Sequence, residues 1–239
     1  MFGWHTPNHM KRGYPMKTVL MTVVALMAAT SLTTAQAQTF PQPLEAALAK
    51  AQKARDARYA FTLHYKVDGL SYTLNYDPTQ SRDAGWTLVS QSVSSLSSEE
   101  KQAFDELKSD RTPDHTMLLP EDLYKTHVKA ELLRGDGDVL TYRLHPKPGP
   151  AKDGEMIGEI QVDKARQVIV ATRFYNARPF KPDPVVKVEQ VSETAMFANA
   201  PGVDVPVATR RVTTISGSAM FQPFTQVEDM TLSQVRRVR

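Results

Sequence analysis

Residues 59–76 read YAFTLHYKVDGLSYTLNY, and this stretch decides the fold class. Tyr59, Phe61, Leu63, Tyr65 and Val67 alternate with polar or small residues, and Leu70, Tyr72, Leu74 and Tyr76 do the same. A period of two marks a strand with one buried face. Asp68-Gly69 stands between the two runs, and this dipeptide tolerates the positive φ angles of a type I′ turn. A two-residue turn there pairs Val67 with Leu70, Tyr65 with Tyr72, Leu63 with Leu74 and Phe61 with Tyr76. Every apolar residue then meets an apolar residue on one face, so turn chemistry and periodicity specify the same register. The stretch is an antiparallel hairpin.

Further strands follow the same logic. Residues 85–93, GWTLVSQSV, read as a third strand. Val128, Ala130 and Leu132 alternate, as do Leu140, Tyr142 and Leu144; a loop of Gly135-Asp136-Gly137 pairs 132 with 140, 130 with 142 and 128 with 144. Met156, Ile160 and Val162 mirror Val168, Val170 and Phe174 around Lys164-Ala165-Arg166. Three more strands fall at about 184–198, 206–220 and 224–238, and the apolar face switches between Val188 and Val191, which predicts a bulge or a crossing of sheet edges. Tight turns between consecutive strands mean antiparallel pairing.

Two helices are predicted. Leu44, Ala47, Leu48 and Ala51 form one stripe in LEAALAKAQKARDAR (44–58), with Pro43 as its opener. In SSLSSEEKQAFDELKSD (94–110), Ser97 and Glu100 make a capping box. Residues 111–124 are irregular. The fold class is α+β, mainly β. Nine or ten strands in one sheet must twist and curl, and the two helices are the available covers for the concave face.

The N-terminal region reads as an address. One lysine, Lys17, precedes the charge-free apolar run Val19–Leu32, and Ala35-Gln36-Ala37 has the small-x-small pattern of a cleavage site. The run is shorter than the roughly 20 residues of a membrane span. A signal-anchor or a core helix is the alternative, but no charged residue occurs between Lys17 and Glu45 to give a soluble helix a wet face. The expected organisation is an upstream extension or misplaced start at 1–15, a secretory signal at 16–37 cleaved after Ala37, and a single domain at 38–239 in the periplasm. The true start could be Met1, Met10 or Met16.

Composition narrows the function classes. The whole chain carries +3, yet residues 1–37 hold Lys11, Arg12 and Lys17 and no acid, so the remainder is balanced. A general basic footprint for nucleic acid is absent. Arg210-Arg211 and Arg236-Arg237 are short clusters, expected on solvated strand faces or a terminus. The chain has no cysteine, which rules out thiol nucleophiles, thiolate metal sites and a lipid on an N-terminal cysteine. The exported protein should be soluble, with at most peripheral membrane contact.

Chemical motifs are few. His64, His115, His127 and His145 show no metal-ligand spacing, and scattered imidazoles account for them. Ser98–Lys101 matches S-x-x-K, but a helix start explains it, and the S-D-N element of a penicilloyl-type serine enzyme is missing. GDGD at 135–138 is a hairpin turn without a calcium loop's terminal glutamate. No phosphate or dinucleotide loop occurs, and no cofactor is implied. The remaining feature is the aromatic stripe of Tyr59, Phe61, Tyr65, Tyr72 and Tyr76, with Trp86 nearby. Core packing under the helices accounts for it; the functional alternative is the wall of an apolar ligand cavity, where tyrosine hydroxyls suit a wet rim.

In layout the chain resembles the periplasmic outer-membrane lipoprotein carrier (LolA-like) family. GEIQVDKARQVIVATRFYNARPF (158–180) looks like that family's strand–turn–strand unit, and the late strands resemble its C-terminal meander. No diagnostic residue set aligns, so no functional residue is carried over. The resemblance implies a strongly curved antiparallel half-barrel with helices in its concavity, and a hydrophobic interior for a lipid or a lipoprotein acyl chain. The expectation is therefore a non-enzymatic binding protein. An envelope structural or protein-interaction domain with a filled core is the alternative, and a hydrolase with acids assembled across strands ranks behind both.

Overall fold

The computed structural model describes residues 40–80, 84–92, 118–120, 127–135, 137–146 and 155–238. Among the described residues, helix α1 (Gln42–Ala54) is followed by eleven strands: β1 (Arg58–Val67), β2 (Leu70–Tyr76), β3 (Trp86–Gln91), β4 (His127–Arg134), β5 (Val139–Pro146), β6 (Met156–Asp163), β7 (Val168–Asn176), β8 (Phe180–Asp183), β9 (Val186–Ala198), β10 (Val207–Ala219) and β11 (Gln222–Val238). The signal segment and the helix expected around Ser97–Asp110 lie outside the described residues.

All the strands belong to one antiparallel sheet in the order β3-β2-β1-β11-β10-β9-β7-β6-β5-β4, with β8 pairing the start of β9. The sheet does not close; β3 and β4 are its edges, and it forms a curved half-barrel holding a helix. The decisive pairing is non-local: β1 lies beside β11, with Leu63 opposite Leu232 and Tyr65 opposite Met230.

Helix α1 forms because its apolar residues recur at helical spacing behind a proline-rich start. It buries Leu44, Ala47, Leu48 and Ala51, packing mainly on β7. Each fully buried leucine contributes about 2 kcal/mol. Arg55, the residue that caps the helix C-terminus, donates from its guanidinium to the Pro120 carbonyl at 2.6 Å. The core under α1 runs through Tyr59, Phe61 and Leu63 of β1, Leu144 of β5, Ile160 and Val162 of β6, Phe197 of β9 and Leu232 of β11. We call this side of the sheet its inner face.

The β1–β2 hairpin has the register read from its sequence at every expected pair, from Val67–Leu70 to Phe61–Tyr76. Asp68 and Gly69 both take positive φ, 47° and 81°. The face switch near Val188 is a bulge, since pairing slips between Ser216–Gln190 and Gly217–Val188.

Three expectations are corrected. Leu132 pairs with Tyr142 and Ala130 with Leu144, two residues from the expected register, because the turn closes with Arg134 opposite Thr141, and the irregularity at Leu133 takes back only one residue of that displacement. In β6–β7, Ile160 faces Thr172, and an irregularity beside Val162 puts Ile169, not Val170, into the core. One extra residue in a strand reverses facing beyond it, and alternation alone does not reveal where. Finally, Arg211 is not on a solvated face. It is buried on the inner face, opposite Ala195 and Met230.

Candidate functional site

The six aromatic residues of the stripe come together. Tyr59, Phe61 and Trp86 belong to the buried core, and Tyr65, Tyr72 and Tyr76 pack against it. The reason is register: Phe61, Tyr76 and Trp86 sit side by side on β1, β2 and β3. Their ring centroids are 5.2 Å (Phe61–Tyr76), 4.8 Å (Tyr76–Trp86) and 5.7 Å (Phe61–Trp86, edge to face) apart. These are tilted and edge-on contacts of the kind aromatic quadrupoles favour. Tyr65 and Tyr72 stack at 6.2 Å. Tyr59 uses its hydroxyl to donate to the Ala54 carbonyl at 2.9 Å, which fixes the end of α1 on β1.

Edge strand β3 leaves two buried polar atoms without partners among the described residues: the indole nitrogen of Trp86 and the side-chain oxygen of Gln91. Gln91 lies opposite Tyr72, and Trp86 opposite Tyr76. An orphan donor and an orphan acceptor therefore share one strand beside the aromatic cluster. Each such buried group costs about 1–3 kcal/mol when left unpaired, so their presence calls for an explanation.

Beyond Leu63 and Leu232 the inner face turns polar. Glu193, Thr213 and Glu228 follow one another across β9, β10 and β11, and Arg211 and Tyr65 occupy the adjoining row with Met230 between them. Arg211 pairs with Glu193 at 2.8 Å and lies over the Phe197 ring at 5.9 Å. Burial, then the charge of Glu228 and its hydrogen bond, holds the Tyr65 phenol neutral far above its usual range. Burial also raises the Glu228 carboxyl; the Tyr65 hydrogen bond opposes this, and the nearby Asp68 and Glu193 charges add to it.

A three-residue segment is docked here. Leu118 and Leu119 are fully buried in the core. They are tied down by side chains: Arg211 donates to the Leu119 carbonyl at 2.7 Å, and Arg55 to that of Pro120 at 2.6 Å. Beside Pro120, a crevice between α1 and Val168, Ile169, Val205 and Pro206 has a volume of about 10 Å³, room for about one water.

Sequence reading puts Arg211 on a solvated face and does not single out Glu193, Glu228, Leu118 or Leu119. Two signals were present. Arg211 shares its parity with Thr213 and the core residue Ile215, and Leu118-Leu119 belongs to the apolar run 117–119 between charged residues of the irregular stretch. Among the described residues, no three histidine or acidic side chains converge as metal ligands, and no helix is long and apolar enough to cross a membrane.

No family model and no curated protein matches this chain. Two solved structures are similar to it. One is described as an outer membrane lipoprotein-sorting protein domain from Vibrio parahaemolyticus, with 16% identity, 81% of this chain and 91% of that chain covered, and a TM-score of 0.32. The other is MucB in complex with MucA(peri), with 10% identity, 82% and 99% covered, and a TM-score of 0.24. The likeness is a weak one of fold and decides neither ligand nor partner.

Proposed function

We propose that this domain is a non-enzymatic periplasmic carrier that takes the apolar chain of a lipid or lipoprotein onto the inner face of its sheet, in place of Leu118-Leu119. One observation carries the reading. These leucines fill the core while the carbonyls of Leu119 and Pro120 are held by the side chains of Arg211 and Arg55. An apolar occupant held in that way can be exchanged without unpairing a strand. The magnitudes allow it. Exposing two leucines costs about 3–6 kcal/mol, and the two hydrogen bonds from charged guanidinium groups add about 3–6 kcal/mol. An acyl chain burying about fifteen CH₂ groups gains about 12 kcal/mol. Tyr59, Phe61, Tyr65, Tyr72, Tyr76 and Trp86 would line the chain's path, with the orphan atoms of Trp86 and Gln91 free for a polar group at its end.

A second reading is a protein-interaction domain with a permanently filled core. It is favoured by the complete burial of Leu118 and Leu119 in the core. Lipid extraction and mass spectrometry of the protein purified without detergent separates the two, together with titration by an apolar fluorescent probe. Stoichiometric lipid, or probe binding that strengthens in Arg211→Leu, supports the carrier. An empty protein that ignores the probe in both forms leaves only the second reading.

A further inference from the structure

The turn between β10 and β11 is built from residues ill-suited to its shape. Ala219 pairs with Gln222, so the turn consists of Met220 and Phe221 alone, and both take left-handed φ, 49° and 64°. Two-residue turns of this kind favour Asn-Gly or Asp-Gly, because a side chain crowds the backbone at positive φ. The same chain uses Asp68-Gly69 at the two-residue turn between β1 and β2. Burial does not offset the cost here, since Met220 is 62% and Phe221 100% exposed.

A second turn joins it. The Met220 N–H donates to the Val185 carbonyl at 2.8 Å, between β8 and β9. Val185 is also exposed, as are Pro184 and Pro223. Charges beside this tip are already engaged: the Asp183 carboxylate accepts the Val185 N–H, and Lys187 pairs with Glu189 at 3.2 Å. The two turns present one apolar tip, with Phe221, Met220 and Val185 exposed and Lys181, Asp183 and Lys187 at its base.

The area decides between occupants. A stable protein interface needs roughly 800 Å² per partner. An aromatic side chain and its two aliphatic neighbours offer a few hundred Å². A bilayer interface needs no matching surface and accepts a lone aromatic with aliphatic neighbours. We propose that the paired turns form a membrane-contacting tip that inserts Phe221 and Met220 into the interfacial layer of a lipid bilayer. None of the inner-face residues takes part, so this site stands or falls independently of the carrier reading.

The test uses the protein as recovered after export, with vesicles of phosphatidylethanolamine and phosphatidylglycerol. In Phe221→Trp, the introduced indole should shift its emission to the blue on vesicle addition and be quenched by brominated lipid, over the wild-type background. The double change Met220→Asn with Phe221→Gly supplies a favourable turn. It should keep or raise the thermal midpoint while lowering vesicle partition at least about tenfold. An unshifted, unquenched indole overturns the proposal. So does a well-folded double variant that partitions like wild type, or a wild-type tip that retains a protein but no vesicle.

Discussion

Arg211 on β10 donates a 2.7 Å hydrogen bond to the carbonyl of Leu119, 92 positions earlier in the chain. Its other terminal nitrogen holds Glu193 at 2.8 Å. One buried guanidinium thus fixes both a neighbouring strand's carboxylate and the irregular segment docked on the sheet. Removing it leaves a half-buried carboxylate and a carbonyl unsatisfied. Arg211→Leu should lose about 2–4 kcal/mol in urea unfolding, and Arg211→Lys should recover only part, since an ammonium cannot reproduce the fork. A loss under 0.5 kcal/mol would show that Leu119 is held by packing alone.

Glu228 gives stability a pH dependence of known sign. Its folded-state carboxyl is raised, by burial first, so the folded protein binds this proton more tightly than the unfolded chain. Stability from this group is therefore present below the ordinary glutamate value and is lost as pH rises through the raised one. Glu228→Gln should match wild type in acid and become the more stable of the two toward neutral pH. Urea midpoints measured across that window check it, and a constant difference would contradict it. Asp77, Asp163 and Asp229 are lowered instead, so their contributions run the opposite way and are unchanged by the substitution.

Trp86→Phe removes the orphan indole N–H while keeping a ring against Phe61 and Tyr76. Losing an unpaired buried donor offsets most of the lost packing, so the ligand-free variant should unfold within about 1 kcal/mol of wild type. Trp86→Ala, which opens a cavity, should lose about 3–5 kcal/mol. Isothermal denaturation of the pair separates the two effects.

Two glycines test the backbone. A Cβ on Gly69 would meet no neighbour, so Gly69→Val acts only through the positive φ and should cost about 1–2 kcal/mol. A methyl on Gly217 would run into the Lys187 carbonyl oxygen of the neighbouring strand. Gly217→Ala should cost about 3 kcal/mol by forcing β9 and β10 apart at their bulge. Thermal unfolding should rank Gly217→Ala below Gly69→Val.

Legibility in the sequence tracked locality. The β1–β2 hairpin was readable because its turn and its alternation both lie within eighteen residues and agree. The β4–β5 register was not, because the turn closes with Arg134 opposite Thr141, outside the Gly135–Gly137 loop that the glycines suggest. The aromatic stripe was visible, since Tyr59 to Trp86 are near in sequence. Arg211 was not, because its partners Glu193 and Leu119 come from other elements, and a lone arginine beside Arg210 looks like any solvated pair. Arg210 is that solvated residue, paired with Asp229 at 2.7 Å.

The neighbourhood of β1 and β11 has a consequence for timing. The sheet's N-terminal hairpin waits for a strand that begins at Gln222. A chain emerging N-terminus first keeps one side of β1 vacant until β11 has emerged. Long-range pairing of this kind is slow and leaves an open template in the interim. The sheet cannot complete itself before β11 is available, so β1 and β2 alone cannot settle into their final place. A chain cut short before Gln222 would present the Arg58–Val67 edge to other strands, and should aggregate rather than fold in part.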